Sequence, residues 1–305
     1  MNGVVKDYAT PIRLYDYEKV CGAVGETSYP EKYEIPRENT GTLKNQGDIQ
    51  KCVGCVISEI AEELYRQESN ERLEMSDDFA YSALRDDSDN YSGMTVVKAL
   101  GYWRKIGIVP KPYFTIEQEM PEIQQTVKKI PELFDIAKRY RIGGYCAIHY
   151  ADKNKRDLAI KKALTENNYG IVAVSDHGFG SSHCIQITGW DDTRDKYLLK
   201  NSWGETYGDK GFSAVSKSAI DQAYVILKDE TTLPFTDVDK SHWAYKSIKN
   251  MYLSGLMSGT GETTFEPDRG ITRAEAAALM DRIVKMTDKR FAIFNKVLNE
   301  QIKNE

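Results

Sequence analysis

The amino-acid sequence predicts an α+β fold in which a helical half precedes a β half and a small all-α module follows both. Three observations carry that prediction. Apolar positions recur at helical spacing between residues 53 and 64, short β-branched runs take over from about residue 171, and a polar linker ending at Pro234 precedes a stretch of different character. A chain of 305 residues suits one domain of ordinary size plus a smaller one.

Residues 1–32 are polar, Tyr-rich and weakly periodic, and are read as an N-terminal extension. The body is expected over residues 33–228. Val53, Val56, Ile57, Ile60, Ala61 and Leu64 follow the i, i+3, i+4, i+7 pattern, so a helix begins just after Cys52. Residues 76–109 read as helical in two pieces around a polar, Gly-containing loop from Asp86 to Gly93. Strands are expected at 171–174, 184–188, 197–199 and 223–227. Two halves of this kind enclose a cleft between them.

Residues 229–234 form the linker, and 235–305 a second module with a helical tail. Here Phe235-Thr236-Asp237-Val238 leads to His242-Trp243-Ala244, a short helix to about Leu253, Phe265-Glu266-Pro267, and Ile271-Thr272-Arg273-Ala274-Glu275 opening another helix. Thr272 and Glu275 have the spacing of a capping box, and Trp243 is expected in the core. Phe291, Ile293, Phe294, Val297 and Leu298 form an apolar stripe, expected to pack within the chain, with joining of two chains as the alternative.

Hydrophobic residues make up 41% and charged residues 29% of the chain, ordinary globular values. A net charge of −5 without a basic stripe argues against a nucleic-acid surface. No stretch is apolar enough to span a bilayer, and the first residues show no signal-peptide run, which leaves a cytoplasmic location as one expectation. Five cysteines, at 21, 52, 55, 146 and 184, do not read as a disulfide framework. Cys55 and Cys146 are expected in the core, His149 in a structural role and His177 in solvent.

Gln46, Cys52, His183 and Asn201 occur in an order and context that suit nucleophilic catalysis. His183 lies 131 residues and Asn201 149 residues after Cys52. A thiol needs help to ionise near neutral pH, and a helix N-terminus and a neighbouring imidazole both supply it. In that reading Cys52 attacks, His183 acts as general acid and base, Asn201 orients the ring, and Gln46 stabilises the oxyanion.

The segments Gln46-Gly47 to Cys52, Ser182-His183-Cys184 and Asn201-Ser202-Trp203-Gly204 through Gly211-Phe212 resemble the papain family of cysteine peptidases, in its bacterial or phage form. The resemblance implies a papain-like fold with a helical half, a β half and the active-site cleft between. It implies peptide-bond hydrolysis without metal or organic cofactor. It also implies contacts to substrate from Gly93, Met94, Val96, Ser182, Cys184 and Trp203. Ile49, Lys51 and Val53 depart from the residues usual at their positions. By analogy with family prosegments, residues 1–32 are a possible short inhibitory segment, and Cys21 is able to approach Cys52.

The second module resembles a single S-layer homology (SLH) repeat over about residues 235–284, which implies binding of bacterial cell-wall polysaccharide, with Asp237, Trp243 and Arg273 as contacts. A bacterial cell-surface location follows from that resemblance, and oligomerisation is one way to assemble several repeats. Alternatives for the thiol site are a peptidoglycan-peptide hydrolase or an acyl transferase. A catalytically silent wall-binding protein is the reading from another class.

Overall fold

In the computed structural model, which describes residues 15–25, 27–85, 93–115, 130–229 and 233–302, the chain enters through a two-residue strand, β1 (Tyr15–Asp16), and a short helix, α1 (Tyr17–Cys21). A second short strand, β2 (Lys32–Glu34), follows. Residues 15–25, read from the sequence as part of an extension with a possible inhibitory role, dock on the sheet, while residues 1–14, on which that expectation also falls, lie outside the described residues. β1 pairs in parallel with β3 (Gly144–Ala147), and Tyr17 is buried with Cys146, Ile148, Ala159 and Ile160. A hydrogen bond involving Cys146 lowers the pKa of Cys21, so this thiol lies beside Cys146 and not beside Cys52.

α2 (Cys52–Ser69) is the helix predicted after Cys52, and every residue from Cys52 to Leu64 is buried. Its apolar row accounts for one face. The other carries Glu59 and Glu63, and Glu63 is satisfied by Gly41 N (3.0 Å), Gly170 N (2.8 Å) and Gln186 Nε2 (2.7 Å). Asn70 ends the helix in the left-handed conformation (φ 58°), donating its N–H to Arg66 O at 2.8 Å.

α3 (Asp77–Ala83) starts at Ser76, whose hydroxyl accepts from Phe79 N at 2.9 Å. It crosses α2 at Gly54, where an added Cβ would lie 3.0 Å from both Asp77 O and Tyr81 N. Only glycine permits that approach. α4 (Val96–Ile106) completes the two-piece helical stretch; of the loop between, Asp86 to Ser92 lie outside the described residues. α5 (Glu132–Ala137) and α6 (Lys153–Asn167) were not foreseen from the sequence.

The β half adds β4 (Ile171–Ser175), β5 (His183–Asp191), β6 (Lys196–Lys200), β7 (Phe212–Ser216) and β8 (Gln222–Leu227). Among the described residues the sheet has the order β1-β3-β8-β4-β5-β6-β7, with β2 on the second half of β5, and all pairings except β1–β3 are antiparallel. β5 is buried along its whole length because both its faces are covered. Ile185 and Ile187 join a core with Ala159, Ile160, Ala163 and Leu164 of α6, while Gln186 turns to Glu63 of α2. Residues 29–33 wrap Trp190, with Tyr33 stacked on its ring at 4.8 Å.

Met1–Asp229 and Glu230–Glu305 form two separate compact units. In the second, Leu233, Phe235, Val238 and Ile248 make a small core backed by Phe265. Its helices are α7 (Tyr245–Leu253) and α8 (Arg273–Ile302). The capping box is present: Thr272 N donates to Glu275 Oε2 at 2.8 Å and Glu275 N to Thr272 Oγ1 at 3.2 Å. Trp243 is not in the core. It is 89% exposed and stacks on His242, outside the cluster of Phe235 and Ile248. The apolar stripe divides, with Ile293 buried and Phe291 exposed, and the side chains of Phe294, Val297 and Leu298 lie outside the description. No helix among the described residues is long and apolar enough to cross a membrane.

Candidate active site

Three segments converge: the loop 44–51, the N-terminus of α2, and the ends of β5 and β6. The loop is tied to the segment after β6 by main-chain bonds. Gln46 N donates to Ser202 O (2.8 Å), Gly204 N donates to Lys44 O (3.1 Å), and Asn45 bridges Trp203. Gly204 takes φ 73°, and a Cβ there would press on the Asn45 side chain at 3.1 Å, so glycine is required for the pairing. Thus the residues before Cys52 and those around Asn201 form one unit.

Asn201 Oδ1 lies 2.7 Å from His183 Nε2 and accepts Ser202 N–H at 2.8 Å. The backbone donor fixes which end of the amide is oxygen, so Nε2 must carry the proton toward it. Nδ1 is then the bare nitrogen. It is buried and finds no hydrogen-bond partner among the described residues. Trp203 stacks on the imidazole (4.8 Å, 20°), and Phe179 meets both rings edge-on at 5.3 and 5.6 Å. Burial pushes the His183 pKa down to about 4, against the opposing pull of the Asn201 hydrogen bond. Burial thus favours the neutral form of the ring.

Cys52 is the first residue of α2 and is fully buried, as is His183. Gln46 is oriented from both ends: Oε1 accepts from Ser202 Oγ at 2.7 Å, and Nε2 donates one hydrogen to Ile49 O at 3.1 Å. An amide nitrogen carries two hydrogens, and the second remains for another acceptor. Lys51, noted in the sequence only as a departure, is a buried ammonium held by Asp77 Oδ2 (2.8 Å) and Asp78 Oδ1 (2.7 Å). Those carboxylates keep it protonated despite its burial. The pair of ion bridges anchors the residue before Cys52 to the first turn of α3.

The other expected contacts are distributed differently. Trp203 lies against the ring of His183. Ser182 uses its hydroxyl on Asp176 Oδ1 at 2.7 Å. Met94, Val96 and Cys184 are buried, and burial raises the Cys184 pKa well above the usual thiol value. Gly93 is buried at φ 102°, a conformation suited to glycine. Cys55 and Cys146 are in the core as expected, His177 is exposed, and His149 is exposed beyond the end of β3. No cysteine of the five is disulfide-bonded. Phe179 and the Ser202 hydroxyl were not foreseen, since no local pattern marks an aromatic in a Gly-flanked loop or a serine whose partner lies 156 residues away.

The model of the papain family cysteine proteases matches residues 29–232. The chain belongs to that family. The S-layer homology domain model matches residues 234–277, so the papain-like domain is followed by an SLH domain. Among curated relatives, Peptidase 1 of Euroglyphus maynei is 24% identical over 226 residues, covering 64% of this chain and 63% of the relative. An S-layer protein of Bacillus thuringiensis subsp. finitimus is 38% identical over 52 residues, 17% of this chain and 6% of that protein. This chain thus spans less than two thirds of the length of either. Xylellain, a cysteine protease from Xylella fastidiosa, superimposes with a TM-score of 0.59 at 18% identity, covering 74% of this chain and 96% of that structure.

Proposed function

We propose that the chain hydrolyses peptide bonds through a Cys52 thiolate. The observation that carries the reading is His183: its Nε2 proton is committed to Asn201 and its buried Nδ1 is bare. In this mechanism the Cys52 proton passes to Nδ1, which stabilises the otherwise disfavoured imidazolium beside the new anion. The thiolate attacks the carbonyl carbon and the oxyanion is stabilised by the second N–H of Gln46 and the Cys52 backbone N–H. His183 returns the proton to the leaving amine, and water then hydrolyses the thioester with His183 as base.

Intact-mass measurement after treatment with a peptidyl epoxide tests this. One adduct is expected on the wild type and on Cys55→Ala, and none on Cys52→Ala. An unlabelled wild type, or labelling that survives in Cys52→Ala, would overturn the proposal.

The C-terminal SLH domain is proposed to hold the enzyme at an acidic cell-wall polysaccharide on a bacterial surface. Arg273 and Trp243 are exposed and supply the contacts, whereas the Asp237 carboxylate is occupied by Phe265 N (3.0 Å) and Glu266 N (2.7 Å) and shapes the loop instead. Co-sedimentation with acidic wall polymer is expected for the wild type and is expected to fall about tenfold in Arg273→Ala, the loss of one charge-assisted contact. Unchanged sedimentation of that variant would refute the assignment.

A further inference from the structure

The first two elements of the chain are short, and one pair of thiols sits where they meet the sheet. β1 faces β3 at two positions, Tyr15 opposite Cys146 and Asp16 opposite Ala147, and α1 has five residues. Neither element is stable alone, so the segment depends on what it docks against. Tyr17 and Cys21 are four residues apart on α1, hence on one face of that helix. Tyr17 is buried in the core cluster that contains Cys146, and Cys21 packs against the same cluster. The two thiols hydrogen-bond, which sets sulfur against sulfur, and both are free. Nothing in the sequence pairs them, since 125 residues lie between the two positions.

The local chemistry separates this pair from the other thiols. Cys55 and Cys184 are fully buried, and burial pushes each well above the usual thiol pKa. Cys21 is only partly buried and shifts the other way. The bond to Cys146 holds it below the usual thiol value, with partial burial and Glu166 of α6 opposing and Lys162 of α6 assisting. Gly22 follows at φ 78° with open space around it, so the backbone beside Cys21 has freedom to adopt disulfide geometry.

We propose that Cys21 and Cys146 are a disulfide-forming pair, joined by a small-molecule disulfide as oxidant, and that the bond fastens β1 and α1 to the sheet. Cys21 is the point of entry, because Cys146 is fully buried. The Cys21 thiolate attacks one sulfur of the small disulfide, and the other sulfur leaves as a thiolate. Cys146 then passes its proton to that thiolate, and its sulfur displaces the second small thiol from Cys21. Two thiols of the chain are oxidised to one disulfide, and one small disulfide is reduced to two thiols. The closed loop contains the whole helical half, and a loop of that length restricts the unfolded chain strongly. On the bacterial surface proposed above such a bond persists, whereas a reducing interior keeps the pair open. The pair takes no part in the Cys52 chemistry, so the proposal is independent of the peptidase reading.

Peptide mapping without reductant tests it, on the folded full chain treated with oxidised glutathione and then blocked with iodoacetamide. The wild type is expected to yield a linked peptide joining Cys21 to Cys146, and Cys21→Ser, checked for folding by circular dichroism, is expected to yield none. Amide hydrogen exchange supplies the second readout: over residues 15–21 the oxidised wild type is expected to exchange about tenfold more slowly than the reduced form. Cys21→Ser is expected to exchange alike in both conditions. A wild type without the linked peptide overturns the proposal, as does a link that forms only in urea or one that joins Cys21 to a different cysteine. A correct link with unchanged exchange overturns the fastening role.

Discussion

His183 illustrates how a short motif becomes a device with a direction. The sequence shows His183 and Asn201 in suitable contexts, but only the Ser202 N–H fixes the amide and thereby the imidazole tautomer. Gln46 is similar, since its side chain is aimed by Ser202 Oγ and Ile49 O, partners that no motif announces. Lys51 was visible as an unusual neighbour of Cys52, while Asp77 and Asp78, which hold it, were not. At this scale the sequence reveals chemical identity and hides orientation, because orientation is supplied by groups distant along the chain. Trp243 shows the opposite error. Its size suggested a core residue, yet it is exposed, so Trp243→Ala is expected to change unfolding free energy by less than about 0.5 kcal/mol. The same variant should weaken wall-polymer co-sedimentation. A loss of several kcal/mol in denaturant titration would return Trp243 to the core.

The apolar row from Val53 to Leu64 identified α2 correctly, but it gave no sign that the acidic face is buried as well. Glu59 lies 3.4 Å from Lys200 Nζ and accepts Lys44 N at 3.3 Å, with its second oxygen unpartnered among the described residues. Burial lifts its pKa from 4.5 to about 7, the two lysines opposing the rise. A carboxyl whose folded-state pKa is raised contributes stability that is complete below the unfolded value and lost as pH rises through the folded one. Glu59 therefore costs stability progressively between about pH 4.5 and 7. Glu59→Gln removes the titration, so the variant is expected to gain about 3 kcal/mol relative to wild type between pH 5 and 8. Urea titrations at both pH values measure this, and parallel wild-type and variant curves would contradict it. The strands β4, β5, β6 and β8 were legible from their β-branched runs, whereas β1 and β2, of two and three residues, are too short to show any period.

Taken as a whole, the α+β class was legible because helical and strand periods dominate different stretches, but β1 and β2 precede the helices and α6 lies among the later strands. The role of the N-terminus was not legible. Tyr17 sits in the core between the sheet and α6, its hydroxyl donating to Ala159 O at 3.2 Å. Tyr17→Ala is expected to destabilise the first unit by about 3 kcal/mol or more, as for other large buried aromatics. Removing residues 1–21 is expected to lower the unfolding temperature further without raising peptidase turnover. Faster turnover after that truncation would instead support an inhibitory role for the segment.

The parallel pairing of β1 has a consequence for synthesis on the ribosome. Tyr15 pairs with Cys146, 131 residues later, and Glu34 of β2 pairs with Gly189, 155 residues later. The first-made strands have no partner until the middle of the chain has emerged, so they wait as unpaired edges while the helical half is already complete. A ribosome paused before residue 146 leaves both early strands without their partners and exposed to chaperones and proteases.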